Sequence, residues 1–222
     1  MEGVVAEKPV IKVAAICGSL RKASFNRSLL RSGTVYFDLL SQFPAIRICN
    51  ESVKGMEIEY IDIAPLPMQN TDLEVEGTYP PVVEAFRWKI CEADAILFAS
   101  PECNYSISAP LKNAIDWASR PPNMWAHKAA AILSVAGGSQ GRRWQYHLRQ
   151  IGVFLDLHFI NKPEFFLNAR QPPAKFDNDG NLIDLAIEEQ LKEVILSLQA
   201  FTLRLQGNSL KDRSGMDSSI EA

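Results

Sequence analysis

The sequence predicts an α/β protein built on a mostly parallel β-sheet with helices on both faces. Five short apolar segments, rich in alanine and β-branched residues, alternate along the chain with segments whose apolar residues recur at helical spacing. Continuous apolar runs are typical of strands buried on both faces, and strand–helix alternation favours crossover connections between parallel strands. The chain has no internal repeat and no linker-like stretch, which favours a single domain.

Five strands and five helices are predicted from these patterns. The strands are expected at residues 10–17, 56–63, 94–100, 128–135 and 157–167, the last interrupted by Pro163. The helices are expected at residues 26 to about 41, 82–93, 109–119, 142–154 and 185–206. Asn26 is the expected N-cap of the first helix, since asparagine side chains accept N–H groups at that position. The domain therefore spans residues 1–206, and the polar segment 207–222 is expected to be a disordered tail.

The composition excludes several classes of protein. It is 47% hydrophobic and 22% charged with a formal net charge of −3, so nothing favours nucleic acid or an anionic membrane as partner. The four cysteines have no C-x-x-C pair, which is typical of reduced cytoplasmic thiols: Cys17, Cys49, Cys91 and Cys103. The N-terminal segment has acids and a proline ahead of a short apolar run, unlike a signal peptide or a membrane span. We therefore expect a cytoplasmic protein without membrane insertion.

Three loops that follow predicted strands carry residues able to bind a ligand. The first strand is followed by GSLRKASFN, the third by PECNYS and the fourth by GGSQGRR, whereas the proline-rich APLPMQN after the second lacks converging polar groups. Doubly wound sheets bind ligands beyond the carboxyl ends of their strands, where the strand order reverses. In the flavodoxin-like order 2-1-3-4-5, strands one, three and four are neighbours. The three loops would then lie side by side at one edge of a five-stranded parallel sheet.

The first loop, from Gly18 to Asn26, has the chemistry of an anion-binding turn. Glycine permits a sharp turn, and the hydroxyls of Ser19 and Ser24 can donate to phosphate oxygens together with the amide of Asn26. Arg21 can add a charge-assisted contact. The loop has neither the G-K-[ST] of a Walker A motif nor the G-x-G-x-x-G of dinucleotide-binding folds. Taken alone, it fits an ordinary capped turn with solvated basic residues equally well.

Three runs of residues together carry a family resemblance: GSLRKASFNRSLL, PECNYSISAPLKNAIDW and SVAGGSQGRRW. They resemble the NADPH-dependent FMN reductase family, which includes plant-type NAD(P)H:quinone oxidoreductases and bacterial azo- and chromate reductases. The resemblance covers roughly residues 11–170, including the intervening DIAPLPMQNTDLE. It implies a flavodoxin-like fold, a bound FMN, and NADPH or NADH as co-substrate. It also implies two-electron reduction of a quinone, or of an azo dye, chromate or free flavin, by a homodimer or homotetramer with the flavin near a subunit boundary.

Position by position, the resemblance places three groups of residues on the cofactor. The FMN phosphate would be held by Ser19, Arg21, Ser24, Phe25 and Asn26. The isoalloxazine ring and the ribityl chain would be lined by Pro101, Glu102, Cys103 and Asn104. The pocket would be closed from the fourth strand by Ser134, Gly137 and Gly138. No catalytic side chain is implied, since the flavin carries the hydride chemistry itself.

Cys103 stands where the family usually has the tyrosine of a PEYN sequence. It could be a redox-active thiol, but no second cysteine is placed to form a disulfide, so a tolerated small side chain is favoured.

Arg142 and Arg143 could bind the phosphates of the nicotinamide nucleotide or simply begin a solvent-exposed helix. No metal site is expected, because no metal-binding spacing connects the three histidines: His127, His147 and His158.

Two functions other than quinone reduction stay open. A flavodoxin-type carrier would pass single electrons to a protein partner, but such carriers steer their partners with a strongly acidic surface, and this chain is nearly balanced in charge. An FMN-based redox sensor would signal through Cys103 or through the C-terminal tail. Substantial NADPH oxidation with a simple quinone would argue against the sensor.

Overall fold

Six β-strands and six α-helices make up the described chain, which comprises residues 10–30, 44–178 and 180–215 of this computed structural model. The strands are β1 (Ile11–Cys17), β2 (Met56–Ile61), β3 (Ala95–Ala99), β4 (Ala129–Ala136), β5 (His158–Phe159) and β6 (Phe165–Asn168). The helices are α1 (Phe25–Leu30), α2 (Pro44–Ser52), α3 (Pro81–Glu92), α4 (Ala109–Ser119), α5 (Arg142–Leu155) and α6 (Leu185–Gly215). A short 3-10 helix covers Thr71–Leu73.

The strands form one parallel sheet with the order β2-β1-β3-β4-β5, and β6 also pairs with β4. The predicted strand order is therefore confirmed. In the register, Val13 of β1 lies between Ile58 of β2 and Ala95 of β3. Because the strands are parallel, β1, β3 and β4 all end at the same edge of the sheet, which we call the carboxyl edge.

The fifth predicted strand is divided into two short strands. β5 pairs with the first half of β4, where His158 is opposite Ala129, and β6 pairs with the second half, where Phe165 is opposite Leu133. Pro163 lies between them and has no N–H group to donate to a neighbouring strand. The described sheet thus has six strands instead of the predicted five, while the order of the first five is unchanged.

Helices cover both faces of the sheet. They are needed because successive side chains of each strand point to opposite faces, and both faces are apolar. Along β1, Val13, Ala15 and Cys17 point into one apolar cluster, and Ala14 and Ile16 point into the other. Helices α1, α2 and α6 supply the first cluster, whereas α3, α4 and α5 supply the second. All of β3 is buried, as expected for a central strand in a doubly covered parallel sheet.

The first helix begins one residue before its predicted start, and a second helix follows that the sequence pattern does not show. Since α1 begins at Phe25, Ser24 precedes it and Asn26 is not its N-cap. The predicted continuation to about residue 41 lies outside the described residues. α2 has nine residues, too few for apolar periodicity to stand out, although it buries Ala45, Ile46, Ile48 and Cys49.

The last helix is longer than predicted. α6 continues to Gly215 instead of ending near Gln206, so the backbone is helical in the first part of the segment expected to be a disordered tail. Residues 216–222 lie outside the described residues, and the tail stays a prediction there. No helix within the described ranges is both long enough and apolar enough to cross a membrane.

Candidate functional site

The loops that follow β1 and β3 meet at Gly18. The Gly18 N–H donates to the carbonyl of Ala99 (2.8 Å), and its own carbonyl accepts from the hydroxyl of Ser108 (2.6 Å). A Cβ atom at Gly18 would overlap the hydroxyl of Ser100 and lie 2.7 Å from that of Ser108. Glycine is therefore required here by the close approach of two loops.

The turn that follows Gly18 is positively charged and exposed. Its backbone is folded back on itself, with the Ser24 N–H donating to the carbonyl of Arg21 (3.2 Å) and the Arg21 N–H donating to the hydroxyl of Ser19 (3.4 Å). Arg21 and Lys22 are exposed, whereas Ser24 is buried. The sequence from Gly18 to α1 contains no carboxylate, so its donors and cations fit an anionic group.

Asn26 and Phe25 anchor this turn to the rest of the protein. The Asn26 side chain donates to the carbonyl of Val135 (2.7 Å) and accepts from the N–H of Val135 (2.8 Å), which joins α1 to β4. The Phe25 ring stacks on Phe176 with the ring centroids 4.3 Å apart. Because both side chains have these partners, their predicted contacts with the FMN phosphate stay predictions, and their visible role is to hold the turn in place.

The loop after β3 is a tight hairpin. The N–H groups of Cys103 and Ser106 each donate to the other residue's carbonyl, at 3.0 and 2.9 Å. The two residues between them, Asn104 and Tyr105, have φ angles of 48° and 66°. Two successive left-handed residues are the signature of a type I′ turn, which matches the twist of a hairpin. The turn exposes Cys103, Asn104 and Tyr105, and half-buried Pro101 lies at its base.

Glu102 fastens this hairpin to the start of α5. Its side chain is only 7% exposed, and one carboxylate oxygen accepts from the backbone N–H of Arg143 (3.0 Å) while the other accepts from the Arg143 guanidinium (3.1 Å). Arg143 lies in the first turn of α5, where unpaired N–H groups and the helix dipole favour a negative charge. The same guanidinium lies 3.9 Å from the ring centroid of Tyr105. Glu102 and Arg143 thus join two of the three loops.

The loop after β4 is a glycine-rich turn supported from below. Gln140 and Gly141 both have positive φ angles, 53° and 75°, and a Cβ at Gly141 would lie 2.9 Å from the Ser134 side chain. Ser134 is fully buried, and its hydroxyl accepts from the Gln145 amide (2.7 Å). Ser134 therefore lies beneath this turn, and its predicted contact with FMN stays a prediction. At Gly138, by contrast, an added Cβ would meet no atom within 4 Å.

The loop after β2 is held by two side chains of α4. Asn113 donates to the carbonyl of Pro67 (2.9 Å) and accepts from the N–H of Gln69 (2.7 Å), and the Trp117 indole N–H also donates to Pro67 (2.8 Å). These three hydrogen bonds thus fix the loop after β2 to α4 beside the carboxyl edge. Met68, between the two held residues, is exposed.

Several supporting residues are missing from the sequence prediction. Ser100 and Ser108 contact the first loop from behind, and the Arg170 side chain would lie 3.9 Å from a Cβ at Gly137. Ser108 immediately precedes a helix that has proline in its first turn, which is the sequence signal that could have drawn attention to it. Arg170 follows β6, the part of the predicted fifth strand that lies beyond Pro163, and its position depends on how β6 ends.

A sequence model of the NADPH-dependent FMN reductase family matches residues 11–171. The chain belongs to this family. It is 69% identical over 207 residues to an NADPH:quinone oxidoreductase of Arabidopsis thaliana, covering 93% of the chain and 100% of that protein. It is 66% identical over 203 residues to an NAD(P)H:quinone oxidoreductase of Solanum tuberosum, covering 91% and 98%. The solved structure of a flavoenzyme NAD(P)H:(acceptor) oxidoreductase from Paracoccus denitrificans is similar with a TM-score of 0.69 and 27% identity, over 89% of the chain and 98% of that structure.

Family membership confirms the resemblance and its closeness to the plant-type proteins. The chain is an oxidoreductase whose cofactor is FMN and whose co-substrate is a nicotinamide nucleotide. The flavodoxin-like sheet agrees with this assignment.

The residues at the carboxyl edge fit FMN. The first loop combines hydroxyl and amide donors with two exposed cations and no acid, as a phosphate monoester requires. Beyond β4, the open space at Gly138 lets a flat ring approach main-chain N–H groups closely. The contact of each predicted residue with FMN stays a prediction.

A matched pair of glycine substitutions tests this geometry. We expect Gly18→Ala to lower the free energy of unfolding of the apoprotein by about 1–3 kcal/mol, because the added methyl group overlaps the Ser100 hydroxyl. Gly138→Ala should change that free energy by less than about 0.5 kcal/mol, because its methyl group enters open space. Urea unfolding of both apoproteins measures the difference. Equal losses of stability in the two variants would contradict the close approach of the loops after β1 and β3.

Proposed function

We propose that the protein is an FMN-dependent NAD(P)H:quinone oxidoreductase that reduces quinones by two electrons. The observation that carries this proposal is the high identity, over nearly the whole chain, to plant proteins named for this activity. The arrangement of three ligand-binding loops on one edge of the sheet supports it, because a single edge must hold both the cofactor and the acceptor. Bound FMN supplies the redox chemistry, taking a hydride from the nicotinamide and passing two electrons to the acceptor.

The first loop would bind the phosphate end of the cofactor. Arg21 is exposed, is preceded by the Ser19 hydroxyl and is followed by the cationic Lys22, so the charge of the turn is complementary to a phosphate dianion. Gly18 carries no side chain that would intrude on this end. The turn is held by Asn26 and Phe25 behind it, which keeps its donors in place before the cofactor binds.

The hairpin and the glycine-rich turn would enclose the ring end. Their backbone N–H groups can stabilise negative charge on the ring, which is the protein's main contribution to flavin chemistry. Glu102 is the carboxylate within the hairpin, but both of its oxygens are engaged by Arg143. Glu102 therefore positions the loop, and no proton transfer is assigned to it.

The cysteines support an enzyme in preference to a thiol-based sensor. Burial raises the pKa of the Cys17 thiol to about 11 and that of Cys49 to about 11, so both are protonated and unreactive near neutral pH. Cys91 and Cys103 are exposed, but Cys91 lies on α3 just before β3, whereas Cys103 lies just beyond the end of that strand. The length of β3 separates them, so Cys103 has no resolving partner among the four cysteines of one chain.

We also propose alternative electron acceptors and a cellular location for the protein. Azo dyes, chromate and free flavin are proposed as alternative acceptors, because a cofactor on an exposed edge discriminates weakly among small oxidants. The cytoplasm is the proposed location, in keeping with the reduced cysteines.

The subunits are proposed to form a homodimer or homotetramer with the flavin near a boundary between them. Three large apolar side chains are exposed on the segment after β2 and on helix α3: Met68 at 72% exposure, Val75 at 61% and Trp88 at 61%. An apolar surface formed by such side chains would favour burial against a partner. Two-fold assembly is also the commonest arrangement of soluble homo-oligomers.

Steady-state kinetics tests the proposed activity. We expect the FMN-loaded protein to oxidise NADPH or NADH rapidly when a simple benzoquinone is supplied, and to release FMN but not FAD on heat denaturation. Azo dye and free FMN are assayed beside the quinone with both nucleotides. The absence of quinone-dependent oxidation, with electron transfer to a protein acceptor instead, would favour the single-electron carrier.

The Arg21→Ala variant tests the phosphate loop. Loss of one charge-assisted contact of about 1.5–3 kcal/mol should lower the affinity for FMN by about ten- to a hundredfold. Riboflavin binding should hardly change, because riboflavin has no phosphate, and turnover should recover with FMN in saturating excess. Lys54→Ala is the matched control, since it removes an exposed cation beside the start of β2, at the opposite edge of the sheet, and should leave the affinity for FMN unchanged. Unchanged FMN affinity in Arg21→Ala would leave the loop as an ordinary capped turn.

Light scattering tests the assembly. The mass should be at least twice the 24.8 kDa of one chain at micromolar concentration. Met68→Glu combined with Val75→Glu should reduce the mass to that of one chain, because two charges would enter the contact. Val153→Glu, at an exposed apolar position on α5, is the control and should leave the mass unchanged. A wild-type mass of one chain would refute the proposed oligomer.

A further inference from the structure

Two histidines and an aspartate meet at the edge of the sheet opposite the carboxyl edge. His127 precedes β4, Asp156 follows α5 and His158 begins β5. The His127 Nδ1 atom lies 2.5 Å from one carboxylate oxygen of Asp156, and the His158 Nε2 atom lies 3.5 Å from the other. No metal-binding spacing connects these two histidines along the chain, but the parallel pairing of β4 with β5, with Ala129 opposite His158, brings them together in space.

The backbone holds these three side chains in a fixed frame. The His127 N–H donates to the carbonyl of Asp156 (2.8 Å), and the His158 N–H donates to the carbonyl of Lys128 (2.9 Å). His127 and Asp156 both have left-handed backbone conformations, with φ angles of 63° and 56°. Such conformations persist in residues other than glycine when the surrounding hydrogen bonds determine them. The cluster is thus built on the ends of a helix and two strands.

The donor set is that of a transition-metal site. One atom from each of the three side chains lies within 4.8 Å of the others. Two neutral imidazoles and one carboxylate suit Zn²⁺ and its neighbours among the divalent transition metals. Bonds of about 2.0–2.2 Å to such an ion require the three atoms to surround one point, which small rotations of exposed side chains can achieve. The side chains are 83%, 48% and 41% exposed, in chain order, so water can complete the coordination.

We propose that His127, Asp156 and His158 form a binding site for a divalent transition-metal ion such as Zn²⁺. The ion would tie the start of β4 to the end of α5 and to β5. Because the unfolded chain does not hold these three groups together, binding favours the folded state. The site lies at the other end of β4 from the glycine-rich turn, so its occupancy is independent of the proposed FMN site.

The test is a calorimetric titration of the metal-stripped full-length protein with Zn²⁺. We expect one saturable Zn²⁺ per chain and a melting temperature several degrees higher with bound Zn²⁺. His127→Gln and His158→Gln should each lose both effects. His147→Gln removes the remaining histidine of the chain and is the matched control, so it should keep both. The titration is repeated in a Cys91→Ser, Cys103→Ser background, because those two exposed thiols could bind Zn²⁺ themselves.

The Asp156→Asn variant tests the site in case the histidine variants fail to fold. Asparagine tolerates the left-handed conformation at this position, so the variant should fold and bind FMN normally while its affinity for Zn²⁺ falls at least tenfold. Undiminished Zn²⁺ binding in folded His127→Gln, His158→Gln or Asp156→Asn would overturn the proposal. Absence of saturable binding to the wild-type chain would overturn it as well.

Discussion

A single carboxylate connects the parts of the site that the sheet alone does not join. Glu102 belongs to the hairpin after β3, yet both of its oxygens are held by Arg143 at the start of α5. A carboxylate this deeply buried requires strong partners, and the first turn of a helix together with a guanidinium provides them. Gly18 and Ser108 then fix the first loop to α4, and Asn26 fixes it to β4. Each loop is therefore positioned by hydrogen bonds to a neighbouring element. The arrangement of the carboxyl edge depends on all of these hydrogen bonds together.

The two edges of the sheet differ in chemistry. At the carboxyl edge, glycine-rich turns expose main-chain groups, and the exposed charges within the first loop are basic. At the opposite edge, imidazole and carboxylate groups are clustered around Asp156. The first arrangement suits a planar cofactor with a phosphate tail, and the second suits a cation. The stability of the protein and its redox function can therefore respond to different ligands through different ends of the same strand, β4.

Much of the fold was accessible from the sequence because parallel strands buried on both faces leave continuous apolar runs. The strand order, and with it the placement of the loops after β1, β3 and β4 at one edge, followed from that pattern and from the family resemblance. The sequence alone does not reveal the roles of residues whose hydrogen-bond partners are distant along the chain. The sequence pattern predicts Asn26 as a helix cap, but its side chain pairs with Val135, 109 residues away, and the partner of Glu102 is 41 residues away. The hydrogen bond between Ser134 and Gln145, 11 residues away, likewise depends on how β4 packs against α5. The adjacency of His127 and His158 likewise depends on strand pairing, which spacing along the chain does not reveal.

We propose that the loops after β1, β3 and β4 form one FMN site. A crystal structure of the protein saturated with FMN measures this directly. We predict that the phosphate lies within hydrogen-bonding distance, about 2.7–3.2 Å, of Ser19 and Arg21, with the ring between the Cys103 hairpin and the Gly137–Gly138 turn. Glu102 should remain bonded to Arg143 in that complex. An FMN phosphate bound away from the first loop, or a ring that does not contact the other two loops, would show that the three loops do not form one FMN site.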